Sequence, residues 1–175
     1  GVGVAGLGAG IERIRSEAED RVRQGCTHVF LTDEHQSGEH AYIPMILATA
    51  AVHTHLVRQS LRTFTSLNVR SAGALDVHAI AVTIGVGATT VNPYLAQESI
   101  ADRHRRGLFG KLTLSESVER YRKAVNKGLL KIMSKMGISI VASYRGGYNF
   151  EAIGLSRALT AEFFPGCPRA FPASA

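Results

Sequence analysis

The sequence predicts an α/β fold, either a partial (β/α) barrel or a small parallel sheet with flanking helices. Two observations predict it. Short runs rich in β-branched residues alternate with longer segments whose apolar residues recur every three or four positions. Polar or glycine-containing loops separate the two kinds of segment. Strand and helix in strict alternation indicate parallel strands joined by right-handed crossovers.

The first helix and strand precede a polar loop. Gly25 is placed as the stop of the first helix, whose apolar stripe consists of Ile11, Ile14, Ala18 and Val22. Residues 27–33, THVFLTD, predict a short buried strand. After the polar loop, Pro44 opens a second helix, because proline suits the first helical turn.

Two further strands and one helix follow. Residues 63–70, TFTSLNVR, predict the second strand. Residues 74–85 predict a helix with Asp76 near its start, and residues 88–92, ATTVN, predict a third strand that ends at Pro93. The apolar pattern then weakens, and residues 101–111, ADRHRRGLFGK, are typical of a charged linker.

A long helix begins at Thr113. Thr113 and Glu116 have the spacing of a capping box, and Gly137 ends the helix. Its apolar stripe consists of Val118, Tyr121, Val125, Leu129, Ile132 and Met136. We expect a fourth strand over residues 138–143, a short helix over 148–155 and a frayed tail over 161–175.

Any ligand site should lie in the loops that follow the strands, because ligands of both architectures meet the carboxyl ends of parallel strands. These loops begin at Asp33, Arg70, Asn92 and Ser143. Asn92 suits either a cavity wall or an ordinary turn.

Composition excludes several classes of protein. The chain has 175 residues, two cysteines and a net charge of +6. Two distant cysteines give neither a disulfide framework nor an all-cysteine metal site, and they favour a cytoplasmic protein. No apolar run reaches the length of a membrane span. Basic residues are interleaved with acidic ones without a recognition motif, so nucleic acid is an unlikely partner.

Three polar clusters invite a functional interpretation. Asp33, Glu34 and His35, with Glu39 and His40, share one loop, but their spacing matches no compact metal motif. The lysines of the long helix form either a basic ridge or a solvated face, and they are Lys123, Lys127, Lys131 and Lys135. Arg145, before two glycines, suits contact with a carboxylate or phosphate.

Three segments carry a resemblance to a known family. Residues 126–155, NKGLLKIMSKMGISIVASYRGGYNFEAIGL, resemble a signature of the large subunit of glutamate synthase that reads roughly KGLLK-MSKMGIS---SYRGAQ-FEA-GL. Residues 43–63 and 77–100 are similar to two further segments of that family. The resemblance implies that residues 1–110 belong to the central domain and that residues 111–160 connect it to the FMN-binding domain.

The family's chemistry implies partners rather than an active site here. Glutamate synthase releases ammonia from glutamine in an amidotransferase domain and uses it for flavin-dependent reductive amination of 2-oxoglutarate in an FMN barrel with an iron–sulfur cluster. This chain lacks an amino-terminal nucleophilic cysteine and the cluster's cysteines. The resemblance therefore implies that the chain alone binds no cofactor and is inactive, and that its partners are the amidotransferase domain and the FMN barrel. The missing initiator methionine and the divergent end favour a truncated piece of a longer reading frame.

The resemblance also nominates residues. Weak candidates for cofactor binding are Ser134, Lys135 and Arg145. Candidates for a channel wall or a domain interface are Asp33, Asn92, Tyr94, Lys135, Met136 and Tyr144. The expected role is a structural segment that helps to form the intramolecular ammonia route. The alternative is a stand-alone βα module that binds a partner protein without catalysis.

Overall fold

A computed structural model describes residues 4–35 and 42–170. Its main sheet has three parallel strands in the order β1-β2-β3. The strands are β1, His28–Thr32; β2, Ser66–Arg70; and β3, Thr90–Asn92. The sheet is open, which confirms the predicted α/β fold as a small parallel sheet with flanking helices. The sequential strand order is the winding that a barrel would also have.

Seven α-helices and a second, two-stranded sheet complete the described part of the chain. The helices are α1, Val4–Arg23; α2, Met45–Arg58; α3, Val77–Gly85; α4, Tyr94–Arg105; α5, Leu114–Lys135; α6, Val141–Tyr144; and α7, Arg157–Phe163. A 3-10 turn, Arg62–Phe64, precedes β2. The small sheet pairs β4, Ala152–Ile153, with β5, Arg169–Ala170.

The predicted helix ends are confirmed by their capping bonds. The carboxylate of Asp76 accepts a hydrogen bond from the Ala79 backbone N–H at 2.8 Å. Thr113 and Glu116 form both bonds of the capping box, which satisfies two otherwise unpaired donors of the first turn of α5. Gly25 and Gly137 follow α1 and α5 with φ of 90° and 70°, a conformation that glycine adopts without steric cost.

The predicted fourth strand is wrong. Within residues 138–143, Ile138 and Val141 pack with Tyr144 on the cluster around Met133, whereas Ile140 is exposed. Inward residues are therefore three positions apart, which is a helical spacing, and α6 forms instead of a strand.

The predicted helix over 148–155 and the frayed tail are also wrong in the described part. Tyr148 and Gly154 have φ of 48° and 73°, which interrupts a helix. The Ala152 N–H donates to the Pro168 carbonyl at 2.8 Å, so β4 pairs with β5. Phe163 and Phe164 are buried in the core. Residues 171–175 lie outside the described residues.

Two smaller corrections concern α4 and β1. Residues 101–105, which the sequence places in a linker, belong to α4, and the helix ends at Arg105. The first strand is not buried on both sides. Val29 and Leu31 pack against the helices, but Phe30 between them is 71% exposed.

The helices cover one face of the sheet. Leu67 packs with residues of α1 and α2, and Val91 packs with residues of α3 and α5. The side chains that alternate with these point to the opposite side, which we call the open face. Its residues are His28, Phe30, Thr32, Ser66, Asn68, Arg70, Thr90 and Asn92. Parallel sheets are normally covered on both faces, so this open face is unusual.

Candidate functional site

Asp33 joins the first two strands at their carboxyl ends. Its carboxylate accepts hydrogen bonds from the Ser71 hydroxyl at 3.0 Å and from the Ala72 N–H at 3.0 and 3.1 Å. The residue is 7% exposed. Because a buried carboxylate needs such donors, Asp33 fixes the loop after β2 against the end of β1.

Arg70, Glu34 and Tyr94 form a partly exposed layer beside Asp33. The Arg70 guanidinium donates two hydrogen bonds to the Glu34 carboxylate, at 2.7 and 2.6 Å, and lies 4.9 Å from the centre of the Tyr94 ring. This pairing lowers the pKa of Glu34. Burial, followed by the nearby Asp33 carboxylate, raises the pKa of Tyr94. We call Asp33, Glu34, Arg70 and Tyr94 the carboxyl-edge cluster.

The sequence prediction that loops after the strands converge is confirmed for Asp33, Arg70 and Asn92. The Asn92 carbonyl accepts a hydrogen bond from the Ser71 N–H at 3.0 Å, while the Asn92 side chain is exposed on the open face. Ser143 does not join them, because it lies in α6. Arg70 bonds Glu34 and stacks on Tyr94, and Asp33 bonds the loop after β2, so this cluster is built to hold loops in place.

An apolar cleft adjoins the carboxyl-edge cluster. Its volume is about 400 Å³, and Asp33 and Thr83 are among the few polar groups in a lining that includes Tyr42, Met45, Ile46, Ala72, Ala74 and Leu95. A second cleft of about 270 Å³ shares Asp33, Tyr42 and Met45 with it. Such a lining suits an uncharged small molecule better than an ion.

Arg145 lies at the opposite, amino-terminal edge of the sheet. It lines a cavity of about 600 Å³ together with His53, Arg62 and hydroxyl-bearing residues. Its Nε is buried and has no hydrogen-bond partner within residues 4–35 and 42–170. Arg62, in contrast, donates to the carbonyls of Thr65 at 2.6 Å and Gly87 at 2.8 Å.

His53 lies between the two arginines. Arg62 Nε donates to His53 Nδ1 at 3.0 Å, so a neutral His53 carries its proton on Nε2. Burial, with the charges of Arg62 and Arg145, lowers the pKa of His53 to about 4. The ring is therefore neutral at pH 7. A Cβ added to Gly87 would lie 2.2 Å from His53 Cγ, and one added to Gly146 would lie 2.8 Å from Nε2.

The remaining predicted site residues lie outside both regions. Ser134, Lys135 and Met136 are exposed at the end of α5. Tyr144 is 2% exposed and belongs to the core around Met133, and its burial raises its pKa. Tyr144 is thus a core residue of this structure, and its expected place in a channel wall stays a prediction.

Two polar patterns of the sequence have ordinary structural settings. All four lysines of α5 are exposed, as expected of a solvated helix face. Among the described residues no group of three or more His, Cys, Asp or Glu side chains is placed to hold a metal. Glu39 and His40 of the acidic loop lie outside those residues.

The sequence patterns described above single out neither Arg62 nor His53. The two histidines of α2 point in different directions, since His55 bonds Glu19 at 2.6 Å while His53 faces Arg62. The available signal was the position of Arg62 within residues 43–63, one of the segments with a family resemblance.

Comparison with known proteins gives one consistent family. The family model described as "Glutamate synthase central domain" matches residues 2–156. The glutamate synthase [NADPH] large chain of Azospirillum brasilense is 68% identical over 155 residues, which are 89% of this chain and 10% of that protein.

More distant relatives are glutamate synthases by name as well. The corresponding large chain of Bacillus subtilis is 39% identical over 160 residues, covering 91% of this chain and 10% of the relative. The chloroplastic ferredoxin-dependent glutamate synthase of Spinacia oleracea is 37% identical over 158 residues, covering 84% of this chain and 10% of the relative. This chain therefore spans about a tenth of the length of these relatives. Because the match covers nearly the whole sequence at high identity, the chain belongs to the glutamate synthase central domain family.

Proposed function

We propose that this chain is the structural segment that separates the ammonia-producing site from the flavin site of a glutamate synthase and helps to enclose the ammonia route between them. The parent reaction would be the flavin-dependent reductive amination of 2-oxoglutarate with glutamine-derived ammonia, in the cytoplasm. Residues 1–110 would be the central-domain segment and residues 111–160 the connection towards the FMN-binding domain.

The open face of the main sheet carries this proposal. Phe30 exposes 71% of its surface in the middle of β1, and Asn92 is exposed at the end of β3. A parallel sheet with an apolar side chain exposed at this point favours a further layer of protein above it. The chain spans about a tenth of its relatives, so the remaining domains of the same enzyme supply that layer in our proposal.

The cleft beside the carboxyl-edge cluster supports a role in guiding ammonia. Its lining is largely apolar, and the one carboxylate among the described lining residues, Asp33, already accepts hydrogen bonds from Ser71 and Ala72. An apolar wall disfavours the charged ammonium ion while admitting neutral NH₃. Asp33, which lines the cleft, and Tyr94, which stacks on Arg70, hold the loops around it. Their role would be to position these loops, and the chemistry would belong to the neighbouring domains.

The cofactors of the complete enzyme would be bound elsewhere. Glutamate synthases use FMN and an iron–sulfur cluster, and the described residues do not fit the cluster. Cys167 is buried in the core with its thiol donating to the Phe150 carbonyl at 3.1 Å, and Cys26 follows α1. We expect no tight, stoichiometric quenching of FMN fluorescence when FMN is titrated with the purified chain, whereas such quenching would contradict the proposal.

A chimeric synthase tests the role directly. Residues 2–156 would replace the matching segment of the Azospirillum brasilense large chain, and glutamine consumed would be compared with glutamate formed. We expect equal amounts in the chimera, but an excess of glutamine consumed in its Phe30→Asp variant, because a charge on the open face would disturb the covering layer. Asn126→Asp on exposed α5 makes the same charge change and should stay coupled. Equal coupling in both variants would refute the proposed role of the open face.

The alternative is a stand-alone βα module that binds a partner protein. The same open face would then bind a separate protein. Pull-down with the amidotransferase and FMN domains, repeated at high salt, separates the alternatives, because the scaffold role requires both domains to be retained through apolar contacts that salt does not weaken.

The described helices were compared with the length and hydropathy of a membrane span. Within residues 4–35 and 42–170, no helix combines the length and the apolar character that crossing a bilayer requires.

A further inference from the structure

The cavity at the amino-terminal edge of the sheet concentrates positive charge. We call Arg62, Arg145 and His53 the basic pocket. Both guanidinium groups lie close enough to His53 to lower its pKa, and Arg145 also lowers the pKa of Arg62. No carboxylate belongs to the described lining of the cavity. Two like charges held together without a counter-ion disfavour each other, which indicates a site for an anion.

Arg62 and Arg145 differ in what holds them. Arg62 is fixed by hydrogen bonds to His53, to two backbone carbonyls and to the Thr89 hydroxyl at 3.2 Å. These acceptors are neutral, so they orient the guanidinium without cancelling its charge. Arg145 has no hydrogen-bond acceptor among the described residues, and its Nε is buried. A buried donor without an acceptor is destabilising, so an acceptor from a ligand would stabilise this arrangement.

The other donors of the pocket point to the shape of the anion. His53 presents Nε2–H beside Gly146, since Nδ1 accepts from Arg62. Thr27 and Ser66, which carry hydroxyl groups, also line the cavity. A planar carboxylate takes donors mainly in its own plane, whereas a tetrahedral phosphate accepts them from several directions and carries nearly two negative charges at pH 7.

We infer that the basic pocket binds a phosphate group, with Arg145 as the main charged ligand and Arg62 and His53 as fixed donors beside it. The cavity of about 600 Å³ is larger than the group itself, and Phe64, 67% exposed, lies on its wall for contact with an organic part of the ligand. This inference does not depend on the proposed scaffold role, because it concerns the opposite edge of the sheet from the carboxyl-edge cluster.

Calorimetric titration of the 175-residue chain with inorganic phosphate at pH 7.5 and constant ionic strength tests the inference. We expect one site per chain. Arg145→Gln should weaken binding at least about tenfold, because it removes charge-assisted hydrogen bonds. Arg106→Gln is the matched control, since this exposed arginine pairs only with Asp102 at 3.6 Å in the described structure, and it should leave binding unchanged.

A conservative variant and further anions keep the test decisive. Arg145→Lys keeps the charge and loses the planar fork, so it should bind with intermediate affinity even if Arg145→Gln fails to fold, as judged by circular dichroism. Sulfate and a phosphate monoester should compete with phosphate, and succinate should not. No saturable binding, equal binding by Arg145→Gln and Arg106→Gln, or succinate as tight as phosphate would each overturn the inference. Loss of phosphate binding in the complete chimera would also overturn it, since a side chain of another domain would then occupy the pocket.

Discussion

Removing the carboxylate of Asp33 should destabilise the fold strongly. The Asp33→Ala change leaves the buried Ser71 hydroxyl and the Ala72 N–H without their acceptor. Each unsatisfied buried group costs about 1–3 kcal/mol, so the free energy of unfolding should fall by about 2–5 kcal/mol. The large value follows from burial, because Asp33 is only 7% exposed and water has little access to replace the lost bonds.

Asp76→Ala provides the matched comparison. It removes the same functional group from an exposed position that accepts one hydrogen bond, from Ala79 N–H at 2.8 Å. Loss of such an N-cap costs about 1 kcal/mol.

Urea unfolding followed by circular dichroism measures both variants. With a denaturant slope of about 2 kcal/mol per molar, the midpoint should fall by roughly 1–2.5 M for Asp33→Ala and by roughly 0.5 M for Asp76→Ala. If Asp33→Ala costs no more than Asp76→Ala, the loop after β2 is not held by Asp33, and the description of the carboxyl-edge cluster is wrong.

Two further changes test the basic pocket and the helix packing. His53 should account for a fall of about 3 kcal/mol in the free energy of unfolding as the pH drops from about 6.5 to about 4, because only the unfolded chain protonates His53 in that range. Gly128→Ala should destabilise by about 1–3 kcal/mol, since its Cβ would lie 2.7 Å from Val77 on α3. Gly8→Ala on α1 meets nothing within 4 Å and should stabilise slightly, by about 0.5 kcal/mol, through helix propensity alone.

Each of these has its own control. The direction of the pH effect follows from the lowered pKa of His53. The contribution of His53 to the free energy of unfolding is complete above the ordinary histidine pKa, and it is lost as the pH falls towards the pKa of the folded state. Arg62 and Arg145 are the charged groups that face His53. His53→Gln should remove this part of the pH dependence, and the exposed His78→Gln should keep it, so equal pH profiles in urea unfolding would contradict the assignment. Equal unfolding midpoints for Gly128→Ala and Gly8→Ala would contradict the close packing of α3 on α5.

Local signals predicted the repeating part of the fold. The three strands and the capping residues Asp76 and Thr113 could be predicted because each depends on neighbours within a few positions. The strand ends could also be predicted to meet, because parallel strands place their carboxyl ends at one edge. The sequence therefore predicts that Asp33, Arg70 and Asn92 lie close together.

Distant contacts decided the parts that the sequence did not predict. The alternation of Ile138 and Ile140 suggested a strand, but packing against Met133 selects Ile138 and Val141 instead. Ala152 forms a strand only because Pro168, sixteen residues later, supplies an acceptor.

The basic pocket is another contact of this kind. It combines His53 of α2, Arg62 of the following turn and Arg145 after α6, and no local spacing joins these three positions.

Cysteine labelling of the open face tests the central claim most directly. In a Cys26→Ser background, Asn92→Cys places a thiol on the open face, and Lys123→Cys places one on exposed α5, where the lysine side chain is 74% exposed. Maleimide labelling rates would be read by peptide mass spectrometry in the 175-residue chain and in the complete chimera. The account predicts that labelling at position 92 slows at least about tenfold in the chimera while position 123 changes little, because the other domains cover the open face. Equal rates at position 92 in the two proteins would contradict the claim that this segment is a scaffold for the rest of the synthase.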